Sequence, residues 1–135
     1  MNLSRFRDLC LGLPGVTEQL QWGDDALFKV GGKMFSVAST SADATHVCSF
    51  KCDAETFGDL CERNGLTPAP YLARAQWVAA ENWDALSDAE FAVLIPQAYE
   101  MVKAKLPRAA QAALVASPPG RAATRAARSP RRAKR

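Results

Sequence analysis

The stretch ALFKVGGKMFSVA, residues 26–38, decides the fold of this 135-residue chain. Two runs rich in apolar residues, 26–30 and 33–38, flank the pair Gly31-Gly32. Two consecutive glycines between such runs are typical of a two-residue β-hairpin turn, because both positions take a positive φ without steric cost. The sequence therefore predicts an antiparallel hairpin here.

The turn also predicts a register for the hairpin. If Val30 pairs with Lys33, alternate side chains along the two strands share a face. The face that we expect to form the core carries Ala26, Phe28, Phe35 and Val37. The opposite face is mixed, is expected to be open to solvent, and carries Leu27, Lys29, Met34, Ser36 and Ala38.

A third strand of the same kind is predicted over Val47–Cys52. Its core side carries Cys48, Phe50 and Cys52. Lys51 lies on the other side, so we expect both Lys29 and Lys51 on an exposed face of the sheet.

Apolar residues at helical spacing predict three helices, over residues 3–13, 54–64 and 88–105. Asp53 is a suitable N-cap for the second helix, and Ser87 with Glu90 forms a capping box for the third. Pro96 lies inside the third helix and is expected to kink or divide it. Shorter strands are predicted over 17–21 and 76–80. This element order indicates an α+β fold, in which helices pack on one face of an antiparallel sheet.

Length and composition limit the class of protein. The length argues for one folded domain, and a hydrophobic content of 48% excludes wholesale disorder. No segment approaches the roughly 20 apolar residues of a membrane-spanning helix. Arg5, Arg7 and Asp8 interrupt the apolar residues near the N-terminus. We therefore expect no secretory signal and a cytoplasmic protein whose four cysteines are reduced.

Charge divides the chain into two parts. Residues 1–107 contain nine basic and 14 acidic residues, whereas residues 108–135 contain eight basic residues and no acidic one. We therefore predict an α+β domain over 1–107 and a disordered basic tail over 108–135, which after Val115 has almost nothing to bury. Such a tail suits nonspecific attraction to phosphate backbones. The alternatives are a solvated solubility tail or a tail that folds back on the acidic domain.

No combination of residues in the sequence supplies a catalytic site. His46 is the single histidine, so a multi-histidine metal cluster is excluded. The four cysteines lack two tight zinc-type pairs and are expected to be small buried hydrophobes. Glu55, Asp59 and Glu62 recur at the spacing of a solvated helix face. We therefore expect no enzyme, no metal and no cofactor.

Aromatic residues lie near cations at several points of the sequence. Trp22 and Trp77 fall beside predicted turns or strand starts, close in sequence to Lys29, Lys33 and Arg74. Aromatic rings interleaved with cations suit base stacking and phosphate contact. Ordinary packing of these rings in the core or at its rim is the alternative.

The order and spacing of several segments resemble the MmcQ/YjbR family of small bacterial proteins over about residues 2–115. The segments that carry the resemblance are LPGVTEQLQWG (13–23), LFKVGGKMFSV (27–37), CSFKCD (48–53), PAPYLARAQWV (68–78) and VKAKLP (102–107). The resemblance implies a frataxin/CyaY-like fold and DNA binding by hairpins that approach the duplex as wings. The tip Gly31-Gly32-Lys33 would be one such wing. Where the family often carries Lys and His before its Trp, this chain has Arg74, Ala75 and Gln76.

We therefore hypothesise a non-enzymatic, monomeric DNA-binding protein with weak sequence preference and no membrane role. The expected phosphate contacts are Lys29, Lys33, Lys51 and Arg74, together with the tail residues Arg125, Arg128, Arg131 and Arg132. Trp22 and Trp77 would pack or stack. Specific base readout is not expected, because no segment resembles a recognition helix dense in Arg, Asn and Gln.

Two other functions stay open at this point. One is a protein-interaction or small-ligand module that uses the open face of the sheet and has no nucleic-acid role. The other, suggested by the frataxin-like fold, is metal handling through the acidic residues Asp53, Glu55, Asp59 and Glu62.

Overall fold

The computed structural model describes residues 1–21, 24–41, 44–70 and 72–115. These residues form an antiparallel sheet of six strands in the order β1-β2-β3-β4-β6-β5. The strands are β1 (Thr17–Gln21), β2 (Asp25–Val30), β3 (Lys33–Ser39), β4 (Cys48–Lys51), β5 (Leu66–Pro68) and β6 (Trp77–Ala80). The helices are α1 (Leu3–Leu11), α2 (Ala54–Leu60), α3 (Asp88–Lys103) and α4 (Arg108–Val115), and a single 3₁₀ turn spans Ala73–Ala75.

The helices cover one face of the sheet, so the predicted α+β fold is confirmed. Phe6 of α1, Leu60 of α2, Phe91 of α3 and Leu114 of α4 join the same buried cluster as the core side of the sheet. The opposite face carries only a small second cluster around Trp77. We call this opposite side of the sheet the open face.

The predicted hairpin register is correct only next to the turn. Val30 pairs with Lys33 as expected, and Lys29 pairs with Met34. The next residue of β2, Phe28, pairs with Ser36, so β3 has one more residue than β2 at this point. This β-bulge, which the simple alternation of residues did not reveal, shifts the rest of the hairpin.

The extra residue in the bulge is Phe35. Phe35 and Ser36 are both fully buried on the core side, because a bulge lets two neighbouring side chains point the same way. Beyond the bulge, Ala38 lies on the core side and Val37 on the open face, which is the reverse of the prediction. The Oγ of buried Ser36 lies 3.3 Å from the Sγ of Cys10, so its hydroxyl has a partner.

The predicted helix caps are confirmed. The carboxylate of Asp53 accepts the backbone N–H of Thr56 at 2.8 Å at the start of α2. Ser87 and Glu90 form the predicted capping box at the start of α3. Pro96 does not divide α3, which runs from Asp88 to Lys103 as one helix. The carbonyl that loses its partner to Pro96 belongs to Ala92, which is exposed to solvent.

Helix α4 corrects the predicted start of the disordered tail. The side chain of Leu114 is buried in the core, and the Nε2 of Gln111 donates to the carbonyl oxygens of Ala104 and Leu106 at 3.3 and 2.7 Å. The prediction of disorder is therefore wrong for residues 108–115, because α4 buries Leu114 in the core and Gln111 bonds to the segment that follows α3. Residues 116–135 lie outside the described residues.

Within the described ranges, no helix has the length and apolar character that crossing a membrane requires.

Candidate nucleic-acid interface

Four parts of the fold bring cationic residues to one end of the sheet. Because neighbouring strands are antiparallel, the end of β4 and the start of β6 lie at the same end as the turn between β2 and β3. The cations at this end are Lys29 and Lys33 of the hairpin, Lys51 at the end of β4, Arg74 in the 3₁₀ turn before β6, and Lys105 just after α3. We call these five residues the cationic edge.

The end of α3 is held at the hairpin turn by Leu106. Gly31 has a φ of 60°, and a β-carbon at this position would lie 2.6 Å from a methyl carbon of Leu106. This close approach places Lys105 beside the hairpin. Burial lowers the pKa of Lys51, and the positive charge of Lys105 lowers that pKa further. The two lysines are therefore close enough to repel each other.

The five residues of the cationic edge, together with Arg108 at the start of α4, lack the carboxylate partners that the other described basic residues have. The ion pairs elsewhere are Arg5–Asp88 (2.8 Å), Arg7–Glu18 (2.9 Å), Arg63–Glu90 (2.6 Å) and Lys103–Glu100 (3.5 Å). In the part of the chain that the structure describes, none of the five edge residues has an ion pair with a carboxylate. Their positive charge is therefore not compensated by a neighbouring side chain.

Two edge lysines instead donate to neutral acceptors. The Nζ of Lys29 donates to the Oε1 of Gln19 at 2.6 Å, and the Nζ of Lys51 donates to the backbone carbonyl oxygen of Ala75 at 3.1 Å. The second bond places Lys51 next to Arg74, which is exposed in the same 3₁₀ turn. These bonds orient the two ammonium groups and leave their charge available to an anion.

Acidic residues lie at the opposite end of the sheet. Asp24 and Asp25 are at the turn between β1 and β2, and Asp88 begins α3, whose other end reaches the hairpin turn. Asp53 is nearer the cationic edge, but it caps α2 by accepting the N–H of Thr56, which lowers the pKa of its carboxyl. Two carboxylates nearer the cationic edge, Glu18 and Glu100, are paired with Arg7 and Lys103. Charge is therefore partly segregated along the domain, and its total over residues 1–107 is negative.

The open face carries a groove of about 780 Å³. Its floor comes from the three central strands, where Val37, Ser49 and Ala79 are registered with one another. One wall is formed by Ala69, Pro70 and Leu72, and the other by the loop at 44–46. The volume lies within the range of small-molecule binding sites, and the lining is mostly apolar.

The two ends of the groove differ in charge. Met34, which is registered with Lys29, lines the end nearer the cationic edge. Asp25 and Ser39, which are registered with each other, line the far end. Burial raises the pKa of Asp25, and the nearby charge of Asp24 raises it further.

Trp77 packs beneath the groove and presents no free ring face for stacking. Its exposed fraction is 4%, and it forms the small open-face cluster with Ala69 and Ala79, against which Met34 and Leu72 pack. The sequence left open whether Trp77 packs within the protein or stacks on a base, and in the structure its ring is packed. Trp22 and the arginines Arg125, Arg128, Arg131 and Arg132 lie outside the described residues.

Lys105 is the edge residue that the sequence did not suggest. It lies between the last turn of a predicted helix and a proline, in a position that looks like an ordinary helix end. Only the contact between Leu106 and Gly31 brings it to the hairpin. The remaining four, Lys29, Lys33, Lys51 and Arg74, were expected from the sequence, and the structure gathers them at one end of the sheet.

Three of the four cysteines are buried, as the sequence indicated. Cys10, Cys48 and Cys52 are buried and reduced, and Cys61 is half-buried. Within the described ranges, no three His, Cys, Asp or Glu side chains lie close enough to hold a metal ion together. His46 lines the groove, and its Nε2 lies 3.3 Å from the Oγ1 of Thr67.

Comparison with known proteins gives one match to a family. The YjbR family model matches residues 11–101. This span contains β1 to β6 and most of α3, and it therefore includes Lys29, Lys33, Lys51 and Arg74. No curated protein sequence matches the chain significantly.

Proposed function

We propose that this chain, which belongs to the YjbR family, is a non-enzymatic DNA-binding protein that holds phosphate groups with its cationic edge. The observation that carries the proposal is the contrast in ion pairing. Arg5, Arg7, Arg63 and Lys103 have carboxylate partners, whereas the five edge residues have none within the described residues. Cationic side chains that lie close together without carboxylate partners favour the binding of a polyanion such as DNA.

The mechanism follows from the position of each cation. Lys33 is exposed at the tip of the hairpin. Burial lowers the pKa of Lys51, and the charge of Lys105 lowers it further, so the two lysines repel each other in the free protein. A phosphate between them would relieve this repulsion, so binding would raise the pKa of Lys51. The family resemblance adds the expectation that such hairpins act as wings on the duplex.

We further propose that binding is weakly sequence-specific. Phosphate contacts fix the position of a protein on DNA but carry no sequence information. In the described part of the chain, no helix carries the dense set of Arg, Asn and Gln with which a recognition helix reads base edges in the major groove. The basic residues of the tail add nonspecific affinity on the same principle.

A second candidate function rests on the groove of the open face. An apolar groove of this volume is also what a small-ligand module needs, with no role for DNA. In that case the cationic edge would have no part in the function.

The CyaY-like fold and the cytoplasmic location, which the sequence analysis led us to expect, stay predictions.

Fluorescence anisotropy with labelled duplex DNA tests the proposal. The full chain is compared with residues 1–115, which keep every described helix and strand. We expect both proteins to bind at low salt, with the shorter one weaker. Lys33→Gln is expected to weaken binding by residues 1–115, whereas Arg5→Gln, which removes the same charge at the acidic end, is expected to leave binding unchanged. DNA binding that disappears with residues 116–135 would favour the small-ligand function.

A further inference from the structure

We propose that the groove of the open face receives one unpaired base of the DNA strand whose phosphates the cationic edge holds. This inference rests on the proposed function and adds the form of DNA that is recognised. It predicts that the folded domain prefers a single-stranded segment to a fully paired duplex.

The first support is the direction of the groove. It runs along the strands from Met34, which is registered with Lys29, to Asp25 and Ser39 at the far end. Lys29 and Asp25 are four residues apart on β2, a distance of about 13 Å at the usual rise of a strand. A phosphate on the cationic edge thus has an apolar slot directly beside it.

The second support is the chemistry of the groove walls. Met34, Val37 and Leu72 supply apolar surface, and a methionine thioether makes favourable contacts with an aromatic ring. A base has a flat face that suits such a surface, whatever its sequence. The groove therefore offers an apolar surface against which the flat face of a base can pack.

The third support is the polar groups at the loop side and far end. The hydroxyl group of Thr45, the imidazole of His46 and the carboxylate of Asp25 border the floor, and the hydroxyl group of Ser49 lies in it. The hydroxyls both donate and accept, and the carboxylate accepts. They match the mixture of amino, imino and carbonyl groups along the edge of a base better than they match a purely apolar ligand.

The requirement for an unpaired base follows from access. A base inside a duplex is stacked and paired, so proteins reach its face only when the strand is single or the base is turned out. The groove is lined by side chains from β2, β3, β4 and β6 and is walled on two sides. A duplex resting on the cationic edge would not place a base in it.

The test uses the full chain and compares Ser49→Phe with Ser4→Phe. Ser49 is half-buried in the floor of the groove, whereas Ser4 is exposed on α1, on the other side of the sheet. Anisotropy is measured with a short labelled single strand and with its duplex. We expect the unchanged protein to bind the single strand at least about tenfold more tightly, a difference of about 1.4 kcal/mol. Ser49→Phe should abolish that preference, while Ser4→Phe should keep it.

A second measurement does not depend on the folding of a variant. The unchanged full chain is photo-crosslinked to a single strand that contains iodouracil, and the linked peptides are identified by mass spectrometry. We expect crosslinks within 34–49 or 69–79. Crosslinks confined to residues 116–135, or equal affinity for single strand and duplex, would overturn the inference and leave the proposed function standing. Failure of the unchanged protein to bind either DNA would overturn both.

Discussion

The side chain of Leu106 lies against Gly31, so that a methyl group on Gly31 would be 2.6 Å from a Leu106 methyl carbon. This contact fixes the end of α3 on the turn of the β2–β3 hairpin. Through it, Lys105 joins Lys33 and Lys51 at one end of the sheet. The cationic edge therefore depends on a glycine that has no charge and touches no ligand.

Gly31→Ala should destabilise the domain more than Gly32→Ala. Both positions have a positive φ, which costs a side-chain residue roughly 1–2 kcal/mol. At Gly31 the new methyl group also displaces buried Leu106, whereas nothing lies within 4 Å of a β-carbon at Gly32. Urea unfolding measures the difference. In a Leu106→Ala background the extra cost of Gly31→Ala should disappear, and an equal cost in both backgrounds would contradict the contact.

Truncation should separate α4 from the tail. Residues 1–115 are expected to retain the unfolding free energy of the full chain. Residues 1–107 lose the buried side chain of Leu114 and the bonds from Gln111, at a cost of roughly 2–4 kcal/mol. Urea unfolding of the three proteins checks this, and equal stability of 1–107 and 1–115 would show that α4 contributes nothing.

The Arg63–Glu90 pair predicts a pH dependence of stability. Hydrogen bonds from Arg63 and from the backbone of Ser87 lower the pKa of Glu90 to about 2, below its ordinary value of 4.5. Its stabilisation is therefore complete above pH 4.5 and is lost as the pH falls towards 2. We expect Glu90→Gln to lower the unfolding free energy at pH 7 by about 1 kcal/mol, since the pair is exposed.

Urea unfolding at a series of pH values measures this effect, with Glu62→Gln as the matched control. Glu62 is exposed beyond the end of α2, and its substitution should change little at any pH. A deficit of Glu90→Gln that stays constant from pH 7 to pH 2 would contradict the ion-pair explanation.

The cysteines should differ in reactivity towards iodoacetamide at pH 8. Burial raises the pKa of Cys10 and Cys52 to about 12 and also raises that of Cys48, so little thiolate forms in the folded protein. Half-buried Cys61 is expected to be alkylated first, and Cys10 and Cys48 only on unfolding. Peptide mass spectrometry measures the order, and alkylation of Cys10 as fast as Cys61 would contradict this packing.

Local patterns predicted the fold well where one interaction decides the structure. The glycine pair determined the hairpin turn, and Asp53 and Ser87 determined the starts of two helices. The bulge at Phe35 was missed, because alternation alone does not show which of two adjacent residues the core will bury. α4 was missed because its few apolar residues give little pattern of their own. The helix is stabilised by burial of Leu114 in the core and by bonds from Gln111 to the segment after α3.

The candidate site was also predicted only where a local pattern determines it. Lys29 and Lys51 follow from strand alternation, so the sequence placed both of them on the open face. Lys105 and the groove depend on contacts between segments far apart in the chain, which no local pattern contains. The pairing of other basic residues with carboxylates, which distinguishes the edge, is also visible only in three dimensions.

The salt dependence of DNA binding by residues 1–115 tests the central claim most directly. Binding to a duplex is measured over a salt series, for this protein and for the triple variant Lys33→Gln, Lys51→Gln, Lys105→Gln. Each phosphate contact contributes about 0.9 to the slope of log affinity against log salt concentration. We expect the variant to bind more weakly with a slope reduced by roughly 2–3. An unchanged slope and affinity would show that the cationic edge does not hold the DNA.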